Sequence, residues 1–342
     1  MAYYAGLDVS LEQTSVCVVD DAGAVVLERR VATEPEAIAA VLGALPEAPA
    51  RVLLETGGLT PWLWHEVSAR GLVVHCIDAR RAKAQLALRP NKTDRNDARG
   101  LAEIARMGWY ANIRVKSLDH HALRAKLAAR AELVATARDL GNQLRGLLRV
   151  FGLRVGKGKG QAFEQRVLTL VADCPTLQPV TDALLAARRA VRAQVERLDR
   201  VLLREARADA TCRRLMTVPG VGPITALAYQ STIEDPSRFG RARDVGAYVG
   251  LVPRRHQSGE VDRSGRISKQ GDALLRGYLY EAATVLLTRL QRPCTLRAWA
   301  RTLAARIGVK KARVALARKL AVLLHHLWSR EEDFRWAQPI AV

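Results

Sequence analysis

Paired cysteines, long apolar runs and, past the first 78 residues, any surplus of acid are missing from this sequence. The five cysteines (Cys17, Cys76, Cys174, Cys212 and Cys294) lie far apart and form no CxxC pair. Neither a zinc site nor a disulfide frame is supported, and a reduced, bacterial-type cytoplasmic setting fits. The opening MAYYAGLDVSLEQTS has neither the basic start nor the long apolar run of a secretory signal. The longest informative stretch without charge, Leu215 to Ile233, carries two prolines, two glycines and several polar residues, which argues against a membrane span, and no membrane is expected among the partners.

What is present is base. Among 342 residues, 54 Lys and Arg face 34 Asp and Glu, a formal net charge of +20. That surplus points to a polyanionic partner such as nucleic acid, and an anionic membrane surface would also explain it. Residues 1 to 78 hold eleven acids and four bases, net −7, so the remaining 264 residues carry +27. An acidic block and a basic block are expected to do different jobs. The length suggests about two domains, each large enough for its own core.

Tyr3–Val9, Thr14–Asp20 and Ala24–Val31 are short β-prone runs, the last two joined by the turn signal DDAG. A helical stretch near Glu34–Leu45, a buried-type strand RVLLE (Arg51–Glu55), a helix over Pro61–Arg70 and a strand LVVHC follow. Three meandering strands and then alternating helix and strand predict a mixed sheet covered by helices, the order of a ribonuclease-H-like domain. Apolar residues recur at 123, 127, 134, 140, 144, 147, 148 and 151, and again at Leu184, Ala187, Val191, Val195, Leu198 and Leu202. These stripes predict two long amphipathic helices, paired as a coiled-coil arm that joins subunits or packed as an ordinary bundle. The break between them, GLRVGKGKG, lacks the GxxxxGK[ST] spacing and reads as a flexible basic loop. From Arg276 to Arg330 there are twelve bases and one acid, Glu281, on helix-prone sequence, a nucleic-acid-facing pattern.

Four carboxylates stand out. Asp8 lies in the first strand and Glu55 ends the fourth, which the predicted order makes neighbours, with Gly57 and Gly58 opening space beside it. Asp94 and Asp97, in NKTDRNDARGLAEIAR, share one face of a predicted helix start. Each alone is an ordinary strand-end or helix-start acid. Converging, they would repel unless cations sat among them, and their oxygen-only ligation suits Mg²⁺ or Mn²⁺. Paired ions of that kind activate the attacking oxygen and stabilise the leaving oxygen in phosphodiester transfer.

Two further motifs bear on nucleic acid. LMTVPGVGPITALAY (Leu215–Tyr229) reads as a helix-hairpin-helix whose Gly220 and Gly222 let backbone N–H groups approach a phosphate, or as a plain tight turn between packed helices. In GLVPRRHQSGEVDRSGRISKQGDALLRGYL (Gly250–Leu279), Ser258 sits in a loop after Arg254, Arg255 and His256, groups able to hold a phosphate and help deprotonate a hydroxyl. Lys269 is a further candidate phosphate contact there. A Ser-Gly pair is also a common turn, and on chemistry alone Ser264 and Ser268 are rivals.

GLDVS, LLETGG, KTDRNDA, TVPGVGPITA, and GLVPRRHQSG followed by GRISKQGDALLR together resemble the DEDD transposases of the IS-one-ten family of bacterial insertion sequences, in the family's order from about Tyr4 to Trp328. The resemblance implies an α/β RNase H-like (RuvC-like) catalytic domain with a mixed five-stranded sheet at residues 1–110. It further implies a helical coiled-coil dimerisation region at 111–210 and a mainly α-helical transposase domain with a catalytic serine at 211–342. Asp8, Glu55, Asp94 and Asp97 match the family's four acids, and Ser258 matches the serine that attacks DNA. The implied partners are donor and target DNA, a structured non-coding bridge RNA and further copies of the chain, as dimer or tetramer. After Ser258 the loop has one glycine (SGEVDRSG) where many relatives have two, which leaves its local geometry open. The rival expectations are a Mg²⁺-dependent junction-resolving nuclease that uses water, and a nucleic-acid-binding assembly factor whose acids are structural.

Overall fold

The computed structural model describes residues 1–87 and 93–336. Asn91 and Lys92 of the acid-bearing stretch lie outside them. By its own packing the chain divides into two units, Met1–Asp119 and His120–Val342.

The first unit is built on a five-stranded sheet of β1 (Tyr4–Val9), β2 (Gln13–Val19), β3 (Val25–Ala32), β4 (Arg51–Glu55) and β5 (Val74–Ile77), in the order β3-β2-β1-β4-β5. The first three strands pair antiparallel, and β4 and β5 join parallel. This is the mixed sheet expected from the order of elements, with β1 beside β4. Alternation sorts the side chains. Ala5, Leu7, Val52 and Leu54 face one way, into a core closed by Ile38 and Leu42 of α1 (Pro35–Gly43) and by Leu63 and Val67 of α2 (Thr60–Ala69). Leu53 and Ile77 face the other way, against Ala82 of α3 (Ala79–Leu86) and Leu101 and Ala105 of α4 (Asp94–Met107). Each leucine so buried stabilises by roughly 1.5–3 kcal/mol.

The second unit is mainly helical. α5 (Leu118–Val150) and α7 (Gln178–Ala208) run antiparallel, since Lys126 pairs with Glu205 and Arg130 with Asp199 at 2.5 Å. Between them α6 (Gly160–Val171), which the apolar stripes did not predict, packs Phe163 and Val167 against Leu144, Leu148 and Leu185. The glycine-rich segment before α6 is non-helical as expected, yet it is tied down. The Arg145 guanidinium donates to the carbonyls of Gly156 at 3.2 Å and Gly158 at 3.0 Å.

The rest of this unit, α8 (Ala210–Leu215), α9 (Pro223–Ile233), α10 (Asp244–Tyr248), α11 (Ala273–Thr288), α12 (Thr295–Ile307) and α13 (Val309–Arg330), encloses one apolar core. Tyr229 is fully buried there, its hydroxyl donating to the Ala321 carbonyl at 2.8 Å, and burial pushes its phenol well above the usual range. A hairpin, β6 (Pro253–Ser258) and β7 (Val261–Ile267), interrupts the helices. Among the described residues no helix is long and apolar enough to cross a membrane.

Candidate active site

The four acids are positioned by one close contact. α4 starts because Thr93 caps it, Oγ1 accepting from the Asn96 N–H at 3.2 Å, and Asp94 and Asp97 in its first turn suit the helix dipole. It ends at Gly108, whose φ of 68° is left-handed. Its small buried face, Ala98 and Ala102, lies directly on β1 at Gly6. A Cβ on Gly6 would stand 2.1 Å from the Ala98 carbonyl oxygen and 2.3 Å from the Ala102 nitrogen. Asp8, two residues past Gly6, is on the same side of the sheet as that helix, and Asp94 and Asp97 are one turn before Ala98 and Leu101. Leu7 pairs with Leu54, so the next step in register sets Asp8 beside Glu55.

As a result Asp8, Glu55, Asp94 and Asp97 line a single cavity of about 450 Å³. Ser10 and Lys83 line it too. The sequence gives no local signal for Lys83, because only the packing of α3 against α4 brings it here. Arg30 of β3 was also missed, and it holds Asp94 in an ion pair at 3.2 Å with both side chains more than half exposed. Among the described residues no three His, Cys, Asp or Glu side chains stand close enough to hold a metal ion together. The acids share a cavity without forming a closed coordination shell. Their chemistry nonetheless fits a hard divalent cation, an all-carboxylate donor set with Asp94 as the member to be released from Arg30. Nearby, burial raises the Cys76 thiol to about 12, helped by the charges of Asp78 and Glu55, so it stays protonated and inert.

The second unit holds the remaining candidates. The expected helix, PGVG turn and helix are present as α8, Met216–Gly222 and α9. The two glycines differ. Gly220, at φ 86°, is pressed against α11, where a Cβ would lie 2.6 Å from the Ala282 carbonyl oxygen, so its smallness is spent on packing. Gly222 caps α9 with open space where a side chain would be.

Ser258 was expected in a loop but closes strand β6, opposite Val261 across a two-residue turn at Gly259–Glu260. Gly259 supplies the positive φ, 56°, that a tight hairpin turn needs. All of β6 is exposed, so no apolar period marked it as a strand. Strand alternation puts His256 and Arg263 on the face of Ser258, and Arg255, Asp262 and Ser264 on the opposite face. Arg255 does not flank Ser258: its guanidinium grips Asp262 by two hydrogen bonds, 2.9 and 2.7 Å, and holds that carboxyl below the usual range. Arg254 donates to the Ser268 carbonyl at 3.2 Å. At the hairpin's base, Gly250 and Gly271 press against the backbones of Gln270 and Tyr248, and a Cβ on either would fall 1.9 and 2.0 Å from a carbonyl oxygen. The Arg276 guanidinium, another residue the sequence did not single out, donates to the Val249 carbonyl at 2.9 Å and the Gln270 carbonyl at 3.2 Å. Lys269, at φ 56°, lines a separate cleft of about 1290 Å³.

With this geometry in place, comparison with known proteins is informative at both ends. Residues 5–152 match the transposase family model named for a DEDD domain of IS110, and residues 212–300 match the model described as the transposase IS116/IS110/IS902 family. The transposase for insertion sequence element IS1111A of Coxiella burnetii is 30% identical over 339 residues, 96% of this chain and 90% of that protein. A Pseudomonas aeruginosa protein named "Probable family 20 transposase" is 31% identical over 84% of this chain and 86% of its own length. The transposase for insertion sequence element IS1328 of Yersinia enterocolitica is 30% identical over 68% of this chain and 71% of its own length. A sheet-and-helix unit that gathers four carboxylates, followed by the helical unit matched by the second family model, fits these likenesses, and the chain belongs to the IS116/IS110/IS902 family of DNA transposases.

Proposed function

We propose that this transposase is an RNA-guided recombinase that excises and inserts its own element, with Asp8, Glu55, Asp94 and Asp97 as its metal-holding site and Ser258 as its nucleophile. We assign residues 1–110 to the metal-dependent step, 111–210 to joining copies of the chain as dimer or tetramer, and 211–342 to DNA binding and covalent attack. The observation that carries this reading is the single cavity lined by all four acids. Mg²⁺ or Mn²⁺, when held there, would neutralise the scissile phosphate and stabilise the leaving oxygen.

The chain's own residues do the rest. The Ser258 hydroxyl attacks phosphorus, a serine–phosphate bond forms and the bond to the strand's leaving oxygen breaks. His256, on the same strand face, receives the serine proton, and Arg263 on that face holds the phosphate charge. Because one phosphodiester is exchanged for another, no nucleotide cofactor is required. The +27 carried past residue 78 leaves basic surface for a structured bridge RNA that pairs with donor and target DNA.

Denaturing electrophoresis of the full-length protein on DNA tests the nucleophile. Ser258→Ala is expected to abolish both the protein–DNA adduct and recombination; an adduct that persists in this variant would disprove the assignment. The same cavity would serve a junction-resolving nuclease that uses water, and in that case Ser258→Ala keeps cutting.

A further inference from the structure

The large cleft of the second unit is unlike the acidic cavity in both charge and lining. Seven Lys or Arg side chains line it, with no carboxylate among its lining residues. Arg266 and Lys269 come from the hairpin side, and Lys311, Arg318 and Lys319 come from α13. The same lining includes the apolar side chains of Leu251, Ile267, Val314 and Val322, together with Trp299 of α12. Trp299 is 38% exposed, which is unusual for an indole beside a core, and the Lys319 ammonium lies 4.6 Å from its ring centroid. The Arg318 stem packs where Gly246 on α10 has no side chain, and a Cβ there would meet it at 3.1 Å.

A duplex hides the faces of its bases and offers a protein its phosphates, which would leave the apolar lining facing charge. An unpaired nucleotide offers both parts, a phosphate for the cations and a base face for the apolar lining. We infer that this cleft takes an unpaired nucleotide of a single-stranded nucleic acid segment, with its base stacked on Trp299 and its flanking phosphates held by Lys269, Lys311 and Arg318. The assignment rests on the reading of the chain as a nucleic-acid recombinase and specifies what the second unit grips. Burial lowers the Lys319 ammonium, so a bound phosphate would also restore its preference for charge.

The position has a consequence for the reaction. Ser264 and Gly265, at the cleft, lie three and four residues along β7 from Val261, which pairs with Ser258. At roughly 3.3 Å per strand residue, the cleft begins about 10 Å from the hairpin tip, one to two nucleotides of extended strand. A strand anchored by one unpaired base in the cleft would reach Ser258 along Gly265, which shares its strand face, and not along Ser264, which faces the other way.

The test is direct binding by fluorescence anisotropy, with full-length protein, no divalent metal and fixed salt, using short labelled single strands of DNA and of RNA and a DNA duplex of the same sequence. Trp299→Leu keeps an apolar side chain but cannot stack, and it is expected to weaken single-strand binding about tenfold while duplex binding changes less than about twofold. Trp299→Phe, which still stacks, should stay within about threefold of the parent. Lys311→Glu, at an exposed rim position that the fold does not need, should weaken the same binding. The sugar bound more tightly identifies the nucleic acid that occupies the cleft. Equal losses in the Leu and Phe variants, an equal loss on duplex, or unchanged single-strand binding in Trp299→Leu or in Lys311→Glu would overturn the assignment. Because nothing is cut in this assay, failure of the serine or carboxylate assignment would not affect it.

Discussion

In the first unit the carboxylates stand on a sheet and a helix whose backbones touch at Gly6, whereas in the second unit Ser258 stands at the tip of a hairpin whose first strand is wholly exposed. The acids are placed by a core that would have to be broken to move them. The serine is placed by its turn, by the Arg255–Asp262 pair and by the clamp at the hairpin base. On the proposed reading, groups that must meet a small ion at fixed distances profit from rigid support, while a nucleophile that must reach a long polymer profits from a mount that the polymer itself can seat. The charge is divided too: the first 78 residues are acid-rich and contribute Asp8 and Glu55, while Asp94 and Asp97 come from the base-rich remainder.

Changing each mount in turn breaks or sharpens this contrast. Ser258→Ala should remove the covalent product entirely while shifting stability by less than about 0.5 kcal/mol, because the side chain packs against no core; comparing adduct yield with urea unfolding checks both. Asp97→Asn is expected to reduce strand cleavage roughly 10²–10³-fold with no loss of stability, measured on a cleavable substrate with Mn²⁺ present. Undiminished cleavage and unchanged metal affinity in Asp94→Asn and Asp97→Asn would instead favour structural acids. Gly6→Ala should destabilise the first unit by about 3 kcal/mol through overpacking against α4, seen as a lower denaturant midpoint, since neither backbone can give way without unpairing.

Smaller effects follow. Arg30→Gln frees Asp94 and should tighten Mn²⁺ binding about two- to fivefold by calorimetry, the modest value of an exposed ion pair. The Arg255–Asp262 pair should order the hairpin at neutral pH. Asp262 has a depressed folded pKa, so its contribution is fully present above the unfolded carboxylate value of about 3.9 and is lost as pH falls through the lower folded value. Proteolysis at the hairpin should therefore be unchanged between pH 5 and 8 and should rise throughout that range in Asp262→Asn. A parent hairpin that loosens already at pH 6 would show that this pair is not what holds it.

The tertiary structure also corrected three local expectations. Gly220 was expected to open a path to phosphate, but it makes room for α11. Arg255 was expected beside Ser258, but it turns to the opposite strand face, because residues an odd number of positions apart in a strand face opposite ways. The segment carrying Ser258 was expected as a loop, since a strand with no buried face leaves no apolar period to detect.

The sequence by itself determined the sheet and its order, because strand alternation, the DDAG turn and the spacing of helix and strand are local or nearly local signals. It also named the four acids and the division of charge. Only the tertiary structure decided that those acids line one cavity with Lys83, that Arg30 pairs with Asp94, and that Trp299 lines a cleft rich in cations. The physical reason is that these follow from which segments approach closely, backbone on backbone at Gly6 and Gly250 and the Arg318 stem on backbone at Gly246, and close approach between distant segments leaves no periodic trace along the chain.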